Sequence, residues 1–332
     1  MRRLFLAAAA AAAAGVWLVA CSESRQPTAP DMTPVTTQAT PEMLRFEADH
    51  PHTHIQLPRG FARAAARTAK TGIFYHGGPL LTAQTNVVAV YWSAARIYNG
   101  GPTPGSSGTG SQDGSIVGAF LRNLGGSPYF NINSTYFDGS GTHVANSVSY
   151  THFWASTTNA PTSGQTVSDA QVQALVAGGL SSGALTFDNS TLYVVFSGPG
   201  VNLGGGFGTQ YCAYHGHFTT GGHDVKYAVM PHDYDFPTAC AALNGSPNND
   251  FAADAEVNTL AHETEETTTD EDLNAWYDRR GNENADKCAW TFGTTYTTTN
   301  GSTANMNLGG KDYLVQRNWV NSGNGGCLVH YP

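Results

Sequence analysis

The chain has 332 residues, only 12% of them charged, with 38 glycines and a formal net charge of −9 at pH 7. That sign excludes a polyanion such as nucleic acid as the natural partner, because the phosphates would be repelled. Low charge with abundant Gly, Ser, Thr and Asn instead fits a polar, loop-rich globular protein.

Residues 1–20 open with Arg2 and Arg3 and continue as an Ala-rich apolar run through Val16, Trp17 and Leu18, ending in Leu18-Val19-Ala20-Cys21. A basic start, a short apolar run and small residues before a cysteine make a secretory signal. The pattern resembles bacterial lipoproteins, in which the signal is cut before the cysteine and that cysteine carries the lipid. Cys21 is therefore expected to anchor the chain to a membrane of the bacterial cell envelope. Ser22, where an Asp would favour the inner membrane, points to the outer membrane or the cell surface. The apolar run is too short for a retained span.

With Cys21 set aside, Cys212, Cys240, Cys288 and Cys327 remain, an even number in an oxidising compartment, so two disulfides are expected. Order along the chain favours Cys212 with Cys240 and Cys288 with Cys327, although spacing alone admits three connectivities. A cysteine-rich zinc knuckle would need a C-x-x-C pair, which the sequence lacks.

Residues 21–70 hold Pro27, Pro30, Pro34 and Pro41 and no sustained apolar period, and read as a flexible tether. Within it His50, His52 and His54 form a short His-rich tract, taken as solvated linker rather than as metal ligands. Residues 71–332 read as a single α/β domain. Asn86–Trp92 is a β-branched, aromatic run typical of a buried strand. Residues 115–124 carry Ile116, Phe120, Leu121 and Leu124 on one helical face behind a Ser115 or Asp113 cap. Residues 143–154 alternate as a strand. Residues 168–180 predict a helix in which Ser168 and Gln171 form a capping box and Gly178 and Gly179 lie near the end. Residues 191–196 and 225–230 predict two further strands, and residues 250–266 a last helix. Helices between strands imply crossover connections and parallel pairing, hence a mixed sheet with flanking helices. Residues 266–332, rich in Thr and Gly, predict a disulfide-stapled, loop-rich C-terminal lobe.

The last helix carries the chemistry. LAHETEETTTDEDLNAWYD, residues 260–278, contains His262-Glu263 and, four places after His262, Glu266. Residues four apart on a helix share a face, so His262 and Glu266 can reach one ion. Zinc accepts a carboxylate as readily as an imidazole, and Glu263 would then be the general base, as in the H-E-x-x-H helix of zinc proteases. A third ligand is required. Asp270 lies about 12 Å along a straight helix from His262 at ~1.5 Å per residue, so it or Asp272 can join only if the β-branched Thr267, Thr268 and Thr269 turn the chain. His215, His217 and His232, expected on loops, are the other candidates. The strand at 225–230 stands where a zincin carries its substrate-binding edge strand, which favours a zincin-like sheet. Asp278, Asn282, Glu283 and Asp286 could offer oxygens to Ca²⁺, but a tight hairpin around Gly281 accounts for them better. The glycines at 204–208 are not followed by the Lys-Ser/Thr of a phosphate loop, and no G-x-S-x-G elbow occurs.

Tyr75-His76-Gly77-Gly78-Pro79-Leu80-Leu81-Thr82, followed by NVVAVYW, resembles the opening of the EXORDIUM or phosphate-induced protein family. Cys212-Ala213-Tyr214-His215, the helix above and Ala285-Asp286-Lys287-Cys288 are similar to its bacterial branch, where a His-Glu-rich helix runs into T-D and A-W-Y segments. The likeness spans most of residues 72–330. It implies an extracellular protein, linked in plants to cell-wall growth and brassinosteroid-responsive expansion, without an established enzymatic activity. Two expectations result. One is a lipid-anchored zinc-dependent hydrolase, a peptidase, with His262, Glu266 and a third ligand around Glu263. The other is a non-catalytic envelope or matrix protein that binds a wall polymer or protein through aromatics such as Tyr211, Tyr214, Trp276 and Tyr277.

Overall fold

The computed structural model describes residues 37–62 and 72–332. The signal at 1–20, Cys21 and the remaining tether positions lie outside these residues. Among the described residues no helix is long and apolar enough to cross a membrane.

In chain order the main elements are helix α1 (Arg45–Asp49) and strand β1 (Thr53–Gln56). Next come β2 (Thr85–Trp92), β3 (Ser107–Thr109), α2 (Ile116–Leu124), β4 (Val148–Ser156) and α3 (Asp169–Ser182). The last are β5 (Thr191–Ser197), β6 (Ala213–Thr220), β7 (His223–Met230) and α4 (Phe251–Thr269). The seven strands form one sheet in the order β1-β6-β7-β5-β2-β4-β3. Strands β7, β5, β2 and β4 run parallel, while β6, β1 and β3 add antiparallel pairings at the two sides.

Parallel strands need both faces covered, and the period-two alternation of β2 shows how. Val87, Ala89 and Tyr91 pack with Val117, Phe120 and Leu121 of α2 and with Val257, Leu260 and Ala261 of α4. Val88, Val90 and Trp92 point the other way, against Val172, Leu175 and Val176 of α3. The result is a three-layer α/β core, the class read from the alternating pattern. Caps set the helix starts: Ser115 accepts from the Gly118 N–H at 2.9 Å, and Ser168 and Gln171 form the expected box. Helix α3 runs through Gly178 and Gly179 and stops instead at Gly183, whose φ of 76° suits glycine. Both disulfides take the favoured pairing, Cys212 with Cys240 and Cys288 with Cys327.

Four expectations are corrected here. The tether's described half is no tether: α1 and β1 belong to the fold, and β1 pairs antiparallel with β6, His54 opposite His215. The DHPHTH segment shows no apolar alternation, because in β1 only Ile55 enters the hydrophobic core while His54 and Gln56 are buried against polar partners. The strand predicted from His143 starts at Val148, and His143 only bridges to Phe137. His215 and His217 lie on strand β6, not on loops, since Cys212–Cys240 and the hairpin into β7 hold them in the sheet. Finally, β7 is not an edge strand, because β6 and β1 lie outside it. No peptide can therefore add to it by strand pairing.

Candidate metal centre

Helix α4 is polar around most of its circumference, yet every residue from Ala253 to Thr269 is buried. A helix of this kind is stable inside a protein only if its polar groups are matched one by one. Residues Gln316 to Asn318 supply two of these matches: Asn258 Oδ1 accepts from the Gln316 backbone N–H at 2.8 Å, and Glu265 Oε2 accepts from the Asn318 side-chain Nδ2 at 2.7 Å. The Thr triplet does not turn the chain. Thr267 and Thr268 donate to the carbonyls of Glu263 and Thr264 at 2.7 Å, and Thr269 reaches the Glu265 carbonyl at 3.3 Å. Each hydroxyl is thereby satisfied within the helix, which continues to Thr269.

Strand β6 lies beside α4 and directs His215 at it. His215 Nδ1 is 2.8 Å from Glu263 Oε2 and 3.8 Å from Glu266 Oε2. His262 Nε2 is 3.1 Å from Glu266 Oε2 and 3.7 Å from Asp286 Oδ1. From the neighbouring strand, His54 Nε2 is 2.8 Å from Asp286 Oδ2, and its Nδ1 is 3.6 Å from both Glu47 Oε1 and Glu283 Oε1. The backbone N–H of Asp286 donates to Glu266 Oε1 at 2.9 Å. Three imidazoles and five carboxylates thus converge from α4, β6, β1, α1 and the 283–286 segment. His215, His262, Glu263 and Glu266 are wholly buried, and the flank at His54 and Glu47 is the one nearest solvent.

The donor atoms suit a small cation. Zinc–nitrogen and zinc–oxygen bonds of about 2.0–2.1 Å in a tetrahedron place neighbouring donors roughly 3.3 Å apart. The separations around Glu266 Oε2, 3.1 Å to His262 Nε2 and 3.8 Å to His215 Nδ1, bracket that distance. Neither His262 Nε2 nor Glu266 Oε2 completes a hydrogen bond among the described residues.

Gln316 fixes the ring of His262. Its Nε2 donates to the Ala285 carbonyl at 3.0 Å and lies 2.9 Å from His262 Nδ1, while its Oε1 accepts from Gln56 Nε2 at 3.2 Å. In this arrangement Nδ1 is the acceptor and the ring proton sits on Nε2, opposite Glu266. A cation bound at Nε2 requires the ring proton to sit on Nδ1 instead, so uptake of metal here is coupled to a change of tautomer and of the Gln316 hydrogen bond.

The two aspartates offered as third ligands lie elsewhere. Asp270 caps α4: its Oδ1 accepts from the N–H groups of Asn274 and Ala275, both at 2.6 Å, and its Oδ2 from Trp276 N at 3.2 Å. Asp272 joins a separate group with His217 and Asp224, where Lys226 Nζ, 3.0 Å from Asp224 and 3.8 Å from Asp272, already supplies the cation. His232 pairs with Asp235 at 3.0 Å. Asp278 and Asn282 do form the tight turn at Gly281, whereas Glu283 and Asp286, read as part of that hairpin, turn into the cluster. His54 belongs to the His-rich tract expected to be solvated linker, and Gln316 has no local signal; the long-range pairing of β1 and the packing of residues 314–320 bring them in.

Burial raises several acids near this helix. It pushes Asp270 up to about 6, against hydrogen bonds from Ala275 and Asn274. It pushes Glu271 up to about 7, against Lys226, and Glu256 up to about 8, beside Asp233, which it also raises. These groups hold protons in the folded chain that they lose above about pH 4 when unfolded, so stability falls as pH rises from roughly 4 to 8. In chelator the melting temperature is expected to decline across this window, by about 2–4 °C for each kcal/mol, with a shallower decline in Glu256→Gln. Thermal scans at stepped pH measure it, and a melting temperature rising from pH 5 to 8 would contradict it.

A family model described as the phosphate-induced protein 1 conserved region matches residues 126–316, more than half of the chain. The matched span begins at the end of α2 and includes β4 to β7, α4, the Glu283–Asp286 segment and Gln316. No curated protein matches the chain, and no solved structure does.

Proposed function

The chain belongs to the phosphate-induced protein 1 family, and from the cluster it carries we propose a lipid-anchored, extracytoplasmic zinc-dependent hydrolase. The observation that carries this reading is Glu266 Oε2 lying 3.1 Å from His262 Nε2 and 3.8 Å from His215 Nδ1 in a fully buried setting. In it His262, Glu266 and His215 are the ligands, and Asp286, oriented by His54, stands at the fourth position. Zinc, when bound, would supply Lewis acidity to a substrate carbonyl or phosphoryl oxygen. Glu263, whose Oε2 is 2.8 Å from His215 Nδ1 before an ion takes that nitrogen, lies beside the centre and is placed to take and return a proton there. Anchoring through Cys21 would put this chemistry at the cell envelope, with a peptide or wall polymer as the substrate class.

One observation favours a second reading, a non-catalytic envelope protein with a structural ion. The four central side chains are wholly buried, and with Asp286 as fourth ligand the coordination is closed, as structural zinc sites are. Glu263→Gln separates the two. The hydrolase reading expects this variant to keep its zinc while losing at least a hundredfold in cleavage of a casein or peptide substrate. Unchanged cleavage in Glu263→Gln would remove Glu263 from the base role, and a zinc-loaded wild-type chain inert toward peptides and wall polymers would leave the structural ion.

A further inference from the structure

A second site lies across the sheet, independent of the metal reading. Strand β2 is followed by α2 on one face and β4 by α3 on the other, and the chain then returns past β2 to β5. A cleft of about 370 Å³ lies on the α3 face of the sheet, beside the ends of β2 and β4.

Its walls are built from two indoles and neutral polar groups. Trp92 ends β2, and its Nε1 donates to the Thr158 carbonyl at 2.9 Å, which ties down the loop after β4. Trp154 of β4 lies against α3 where Gly179 leaves room, since a Cβ there would sit 2.8 Å from the indole Cζ3. Asn159, at a φ of 48°, and Gln171, Ala174, Leu175, Gly178 and Ser182 of α3 complete the lining. Gln171 spends its Oε1 on the Ser168 cap, which leaves its Nε2 as the donor it can offer. No charged side chain lines the cleft.

From this lining we propose that the cleft binds a neutral sugar ring of a glycan. The partly exposed indole of Trp154, with the apolar Ala174 and Leu175, matches the C–H face of a pyranose, while Trp92 is buried behind it; amide and hydroxyl groups match the sugar hydroxyls. The absence of cationic groups from this lining and of a phosphate loop argues against nucleotides. A volume of about 370 Å³ accommodates one to two sugar rings.

The test is titration of the full chain with cellotriose and, separately, with tri-N-acetylchitotriose, followed by tryptophan fluorescence and calorimetry. Gly178→Leu is the diagnostic variant, because a side chain there enters open space rather than the core. Saturable binding of either sugar, weakened at least tenfold in Gly178→Leu with its melting temperature retained, is the expected result. The proposal is overturned if neither sugar binds the folded chain at millimolar concentration, or if Gly178→Leu binds as well as the wild type. Binding should be unchanged in Glu263→Gln, so loss of the hydrolase reading leaves this one standing.

Discussion

Replacing His262 with alanine is expected to remove high-affinity zinc binding and, in chelator, to lower the unfolding free energy by roughly 3–5 kcal/mol. The ring is wholly buried, so its loss opens a cavity. It also leaves Glu266 Oε2 and Gln316 Nε2 facing each other's former partner, and an abandoned buried carboxylate is costly. Calorimetric zinc titration and urea unfolding read the two effects separately, with the denaturant slope unchanged if the fold survives. A variant that takes up zinc like the wild type would remove His262 from the ligand set. Gln316 orients the ring without touching the proposed ion, so its loss belongs to the smaller, 10–100-fold class of effects on affinity.

Asp270→Ala is expected to do the reverse: to lower stability by about 3–5 kcal/mol and leave the zinc stoichiometry as it was. The Asp270 carboxylate accepts three backbone N–H groups at the exit of α4, from Asn274, Ala275 and Trp276. An uncompensated buried donor costs about 1–3 kcal/mol, and alanine would orphan all three. Asp270→Asn, which keeps an acceptor oxygen, should recover part of the loss. Urea unfolding of the three chains, with zinc measured on the same preparations, decides it. Loss of metal at unchanged stability would restore Asp270 as a ligand.

The contrast between His262 and Asp270 shows what the sequence made legible. His262, Glu263 and Glu266 share a helix, and helix spacing alone places His262 and Glu266 on one face. The α/β class was legible because continuous β-branched and aromatic runs mark β2 and β5 and a 3.6-residue period marks α2. What could not be read was set by partners far along the chain. The Thr triplet has low helix propensity, yet burial makes its hydroxyls bond back to the helix, so the predicted turn does not form. His54 lies in a polar segment that becomes an edge strand only when β6 is beside it. Glu283 and Asp286 follow a turn that local rules explain fully, and those rules do not say where the chain goes after it. The cleft with Trp92 and Trp154 joins residues about sixty positions apart, which local pattern reading on its own does not connect.

Zinc K-edge X-ray absorption on the full chain, purified without chelators, tests the central claim most directly. The expected spectrum is one zinc per chain with only nitrogen and oxygen donors at about 2.0–2.1 Å and the multiple scattering of two imidazoles. A folded chain that takes up no zinc, or a spectrum with sulfur at about 2.3 Å, would contradict a centre built from His262, Glu266 and His215.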